Sequence, residues 1–227
     1  MEQINEQHPH RGDWLREIVF GLNDGLVTTL VFIMAVSEVA PGRLVLVVIG
    51  EVLAGGISMA LGGYLSARTA KQILDQRIAT ERYEVEHEPE AERAELVSIY
   101  QNKGFTGPLL QHVVDHHTAN NERWHEAMVH DELWAVEDMH INPWLEGVQV
   151  GLSFVLGGWI PTIPLLLSLP QAKWWAYGLT ALTALALGAI KARYMRQGPV
   201  RAGLEFLAIV TLGTLAGVGL GLLLHAG

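Results

Sequence analysis

Apolar residues gather in five long runs, roughly 15–37, 44–67, 145–169, 173–195 and 201–224. Each is near the length of about 20 residues that a helix needs to cross a bilayer. The breaks after the first, third and fourth runs are short, whereas about 75 polar residues separate the second from the third. This pattern predicts an all-α membrane protein with five transmembrane helices and one large insert. It divides the chain into residues 1–70 (the amino terminus and two spans), 71–142 (the insert) and 143–227 (three further spans).

One feature disturbs the first run. In "EIVFGLNDGLVTTLVFIMAV" the triplet Asn-Asp-Gly has the composition of a turn in water. A turn there would leave only the 11 residues Leu26–Val36 as an apolar run, too short to span. Reading the helix from Leu15 to Ser37 restores the length and places Asp24 inside the membrane. A carboxylate in hydrocarbon is costly and is expected to face an interior cavity with a function.

The insert reads as three helices. "SARTAKQILDQRIATERYEVEHE" lacks Gly and Pro and continues the second span without a break. Pro89 suits the first turn of a second helix, which Gly104 ends. A third is expected from about Pro108 to Asp138. Charge sharpens the picture, because residues 71–141 carry 15 acidic and 6 basic side chains and 7 of the 10 histidines, while the remainder is balanced at 9 against 9. The whole net charge of −9 therefore sits in the insert. Such a block repels nucleic acid and attracts cations. With the amino terminus in the cytoplasm, 13 of the 15 Lys and Arg lie on the cytoplasmic side, which places the insert there too. The absence of Cys excludes disulfides, thiolate metal ligands and a thiol nucleophile. No secretory signal is visible in the first 14 residues.

In the second span Ala54, Ser58, Gly62 and Ser66 form one stripe of small residues; Gly55, Met59, Gly63 and Ala67 form the next. Stripes of this kind let helix backbones approach. Met59 is the single long side chain among them. By helical rise, Asp24 and Met59 both lie roughly 12–14 Å from the cytoplasmic side. A carboxylate and a thioether at one depth favour a borderline transition ion over magnesium or calcium. The alternatives are a structural hydrogen bond to a neighbouring helix for Asp24 and ordinary packing for Met59. Burial raises a carboxyl pKa and a divalent cation lowers it, so Asp24 has the minimal chemistry of metal–proton exchange. Glu51, near the outer end, is a second candidate for the path or a structural partner of a nearby polar group.

In the insert, Glu81, Glu84 and Glu88 share a helix face, as do Glu92 and Glu95 on the next helix. His125, Met128 and Glu132 repeat the spacing on the third. Facing rows of like charge call for a neutralising cation, with plain hydration as the alternative. A competing pattern is Glu-x-x-His at Glu84/His87, Glu122/His125 and Glu137/His140, which in pairs builds di-iron sites in four-helix bundles.

"GLNDGLVT", "GGISMALGGYLS", the acidic insert and "FVLGGWIPTIPLL" together resemble the vacuolar iron transporter family over essentially the whole chain. The resemblance implies a five-span homodimer that exports Fe²⁺, and often Mn²⁺, from the cytoplasm against protons, along a path between protomers. It implies that Asp24 and Met59 line the path and that Glu81, Glu84, Glu92, Glu95, Met128 and Glu132 bind metal in the cytoplasmic domain. This chain departs from the family at Val129, where a second Met is usual, and at Gly63, where a Glu is usual. His125 and His130 are candidates to supply nitrogen ligands instead.

The expectation is therefore a proton-coupled divalent-metal exporter and not an enzyme, with the metal as substrate and no organic cofactor. Its partners are metal ions, protons, the lipid bilayer and a second copy, with no nucleic acid. Its shortness suggests a prokaryotic member in a bacterial inner (plasma) membrane. The alternatives are a membrane-anchored di-iron ferroxidase and a metal sensor or buffer without transport.

Overall fold

A computed structural model describes residues 13–37, 41–132, 142–194 and 198–226. The described residues are helical throughout: α1 (Asp13–Val36), a 3₁₀ turn (Pro41–Arg43), α2 (Leu44–His87), α3 (Pro89–Asn102), α4 (Gly107–Thr118), α5 (Asn121–Asp131), α6 (Pro143–Leu166), α7 (Ala172–Tyr194) and α8 (Pro199–Ala226). Five of them, α1, α2, α6, α7 and α8, are long and apolar enough to cross a membrane. The Asn-Asp-Gly triplet is helical, so Asp24 lies midway along α1.

The chain divides into two compact units, one formed by residues up to Leu65 and from Pro143 onward, the other by Ser66–Asn142. Helix α2 contributes to both. Its 44 residues rise about 66 Å, more than twice the thickness of a bilayer's hydrocarbon core.

In the first unit α6 is the most enclosed span and α1 the next. Without a hydrophobic force between helices in lipid, association rests on close packing, and small residues permit it. A Cβ added at Gly25 of α1 would collide with the Phe154 carbonyl of α6, so the two backbones touch there. Helix α2 meets α6 in the same way, since a Cβ at Gly151 would stand 2.6 Å from that of Ala60. Gly213, Gly217 and Gly221 seat α8 on α1 against Val27, Val31 and Met34. Around these contacts Leu30, Ile33, Val48, Val52, Leu165 and Phe206 form the apolar core. Pro161 and Pro164 lie inside α6. The Thr162 hydroxyl donates to the Gly158 carbonyl at 2.7 Å, which satisfies this buried hydroxyl within the helix.

The two stripes of α2 separate. Gly55 and Gly63 face α6, where an added Cβ would meet the Phe154 ring and Gly147. Ala54, Ser58, Gly62 and Ser66 are exposed, and a Cβ on Gly62 would meet nothing within 4 Å.

The second unit corrects the expected three-helix insert: among its described residues there are four helical segments, namely the end of α2, then α3, α4 and α5. The helix expected from Pro108 to Asp138 breaks after Thr118. Asn120 takes an extended conformation, and its side chain accepts from the Glu122 and Arg123 amides at 2.9 and 3.2 Å, starting α5. Residues 133–141 lie outside the described residues, as do Glu137 and His140. Helix α3 ends as expected, with Gly104 at φ +92° and the Phe105 amide donating to the Tyr100 carbonyl at 3.1 Å. The unit's core comprises Val85, Leu96, Tyr100, Leu110, Val114, Trp124, Ala127 and Met128.

Candidate metal-handling sites

Along α1, Asp24 is half-buried, with the Thr28 hydroxyl 3.4 Å from its Oδ1. Farther along the helix the fully buried Thr29 donates its hydroxyl to Glu51 Oε2 at 3.0 Å. Glu51 thus has the structural partner that was one of its two readings. Asp24 lies five residues before Thr29, and Met59 eight after Glu51. Counting helical rise from that hydrogen bond puts both Asp24 (about 7.5 Å) and Met59 (about 12 Å) toward the Asp13 end of α1, a difference within the reach of one glutamate side chain. Met59 is half-buried on the stripe of α2 that meets α6. Beside Asp24, the Asn23 Oδ1 is buried without a hydrogen-bond partner. The motif contained this residue, but nothing in its spacing distinguished it from a turn former.

In the second unit, Glu81 and Glu84 come from the distal part of α2, well beyond its membrane-length portion. Glu92 and Glu95 come from α3, and Glu132 caps the end of α5. Glu81 and Glu92 are 6% and 5% exposed, unusual for unpaired carboxylates. Burial, reinforced by the charges of Glu132, Glu92, Glu84 and Glu95, pushes the Glu81 carboxyl up to about 8. Burial, together with Glu95, Glu84, Glu132 and Glu88, pushes Glu92 up to about 7. Glu132 is raised as well, by burial and then Glu95, while a hydrogen bond with Glu81 pulls the other way. The five glutamates therefore share one electrostatic neighbourhood.

Within it the Oε2 atoms of Glu81, Glu92 and Glu132 are buried with no hydrogen-bond partner. Unsatisfied buried oxygens are rare, and this set is acceptor-only once ionised. Among the described residues no three carboxylate or imidazole groups already converge at ligand spacing. A cation held by these glutamates must therefore draw them inward. An open cleft of about 560 Å³ reaches Glu81 and Glu132 and is lined besides by Ile73, Gln76, Arg77 and Thr80.

The remaining candidates are placed differently. Met128 is fully buried in the unit's apolar core, and Val129 beside it is 7% exposed. His125 is buried, with Nε2 3.1 Å from the Ile78 carbonyl, to which it donates. His130 is exposed and turned to Asp131, with Nδ1 2.7 Å from Oδ1. The two Glu-x-x-His pairs among the described residues are otherwise engaged: His87 contacts the Tyr83 carbonyl at 2.9 Å, and Glu122 pairs with Arg82 at 3.3 Å.

One group escaped the sequence reading altogether. Asp131, its side chain 9% exposed, lies 2.6 Å from Lys103 Nζ. Burial works against its ionisation, but hydrogen bonds from Lys103, His130 and Tyr100 outweigh it and hold the carboxyl at about 2. The Tyr100 hydroxyl also meets His117 Nε2 at 3.0 Å. These residues come from α3, α4 and α5 with no shared periodicity, so no spacing rule could find them.

Five apolar spans and an acidic helical unit define an integral membrane protein with a cation-attracting domain. A model of the VIT family matches residues 15–222, and the chain belongs to that family. It is 30% identical to "Vacuolar iron transporter 1" of Oryza sativa subsp. japonica over 219 residues, 95% of this chain and 87% of that protein. With "Vacuolar iron transporter 1" of Arabidopsis thaliana the identity is 28%, covering 95% and 88%. With "Vacuolar iron transporter" of Plasmodium berghei (strain Anka) it is 25%, covering 96% and 84%. These are plant and apicomplexan proteins, so the expectation of a prokaryotic member draws no support from them.

Proposed function

We propose that this chain is a homodimeric carrier that exports a divalent metal ion, Fe²⁺ or Mn²⁺, from the cytoplasm in exchange for protons. The observation that carries the reading is the set of buried, unpartnered carboxylate oxygens on Glu81, Glu92 and Glu132. With Glu81 near 8 and Glu92 near 7, these groups hold protons around neutral pH. A divalent ion gathered by them, with Glu84 and Glu95, displaces those protons as it binds. The ion then passes to Asp24 and Met59, where carboxylate and thioether make a site suited to a borderline metal. Glu51, held by Thr29, stands farther along the same path. His125, which donates to the Ile78 carbonyl, and His130, turned to Asp131, would have to leave those partners to supply a nitrogen ligand.

The relatives' printed names support iron as cargo. The exposed small stripe Ala54, Ser58, Gly62 and Ser66 supports a second copy, because a backbone free of bulk on an otherwise apolar helix face suits close helix pairing. The excess of Lys and Arg on one side supports a cytoplasmic acidic domain.

Proteoliposomes with a pH gradient test this reading. Wild type is expected to carry Fe²⁺ and Mn²⁺ with counterflow of protons, and Asp24→Ala to fall to the background of empty vesicles while still binding metal. Asp24→Ala flux equal to wild type would remove the intramembrane site. Dioxygen consumption on Fe²⁺ addition without flux would favour the ferroxidase instead.

A further inference from the structure

We propose that Lys103 is a positioning residue for the glutamate cluster, acting through Asp131 to fix Glu132; this rests on the reading of that cluster as a metal site. Lys103 caps the carboxyl end of α3, and its Nζ reaches across to Asp131 on the last turn of α5 at 2.6 Å. The ammonium also stands 5.0 Å over the Tyr100 ring. Around Asp131 three donors converge: Lys103, His130 and the Tyr100 hydroxyl. Tyr100 is in turn anchored by His117, 3.0 Å from its hydroxyl and stacked on its ring. The last turn of α5 is thus tied to both α3 and α4.

Glu132 is the next residue and the C-cap of α5, its amide donating to the Met128 carbonyl at 2.9 Å. Successive helix positions point about 100° apart, so fixing Asp131 on one side aims Glu132 to another. That other side is the cluster, where Glu132 hydrogen-bonds with Glu81 and its Oε2 is buried without a partner. Glu132 needs such a hold, because Glu95 and Glu84 repel its charge, and that repulsion would turn it outward whenever the hydrogen bond with Glu81 is lost. The pair Lys103–Asp131 supplies the hold without adding net charge to the site. Outer partners of metal ligands act in this way elsewhere, orienting the ligand without touching the ion.

Mn²⁺ binding to the full-length protein in detergent, followed by electron paramagnetic resonance, tests the assignment. Lys103→Met is expected to raise the Kd by about tenfold, the lower end of the range for outer partners, with Lys103→Arg restoring it to within about threefold. Asp131→Asn, which preserves shape, is expected to weaken binding similarly. In a Glu132→Gln background, itself weakened, adding Lys103→Met is expected to change the Kd less than about twofold, because the residue it aims has lost its charge. A purely structural Lys103 would instead add its full loss in that background, and this result overturns the proposal. Unchanged Mn²⁺ affinity in Lys103→Met, with Glu132→Gln weakened, overturns it while leaving the cluster standing. Unchanged affinity in Glu132→Gln would remove the cluster reading itself.

Discussion

Replacing Glu81 by Gln separates what this carboxyl does for binding from what it costs the fold. In the folded state its pKa is about 8 against an ordinary 4.5. A raised carboxyl keeps its proton where the unfolded chain has already lost one. Folding is therefore opposed increasingly as pH rises from about 4.5 to 8, unopposed below that window and opposed in full above it. For this shift, linkage amounts to about 3 kcal/mol between pH 5.5 and 8, or a protection change of about a hundredfold. Gln removes the ionisation with little change in shape. Hydrogen exchange of α3 and α5 in metal-free, full-length protein is the assay, read as protection factors at the two pH values. Wild type is expected to lose protection toward pH 8, and Glu81→Gln to lose much less, with a remainder from Glu92. Added Mn²⁺ at pH 8 is expected to restore protection in wild type and not in the variant, since the ion takes over the neutralising role of the proton. A Glu81→Gln profile that declines as steeply as wild type would refute the linkage, whatever the variant does to transport.

Two other outcomes follow from packing. Gly25→Ala is expected to lower the thermal midpoint in detergent, losing about 1–3 kcal/mol through overpacking against the Phe154 backbone, whereas Gly178→Ala, with nothing within 4 Å, stays near wild type. Val129→Met, tested by metal-competition flux, is expected to shift preference toward softer ions, because it adds a thioether three residues before Glu132; unchanged preference would exclude this position from metal choice.

Much of the fold was legible in advance for a local reason. A spanning helix must carry about 20 apolar residues in succession, so five such runs announce five helices whatever they pack against. The stop at Gly104 was equally local, because a left-handed residue at the helix end favours Gly. The break at Asn120 was missed although its cause is also local. An Asn cap is one residue among polar neighbours, and without a Gly or Pro beside it the segment from Pro108 to Asp138 was read as one helix.

The candidate sites divide in the same way. Which glutamates share a helix face is a matter of spacing, and Glu81 with Glu84, or Glu92 with Glu95, could be paired from the chain alone. That Glu81 and Glu92 are buried while Glu95 is exposed could not, since burial depends on what α3 and α5 place over them. Met128 illustrates the limit: spacing set it beside Glu132, and packing put its side chain among Leu96, Val114 and Trp124.

Length, apolar runs and the concentration of charge in one insert determined the class of this protein, because each is a property of consecutive residues. The tertiary structure alone decided which small-residue stripe of α2 meets α6 and which stays open. It also set Lys103 against Asp131. Those outcomes depend on distances between segments far apart in the chain, which backbone contacts at glycines and the closing of the helical unit establish only on folding.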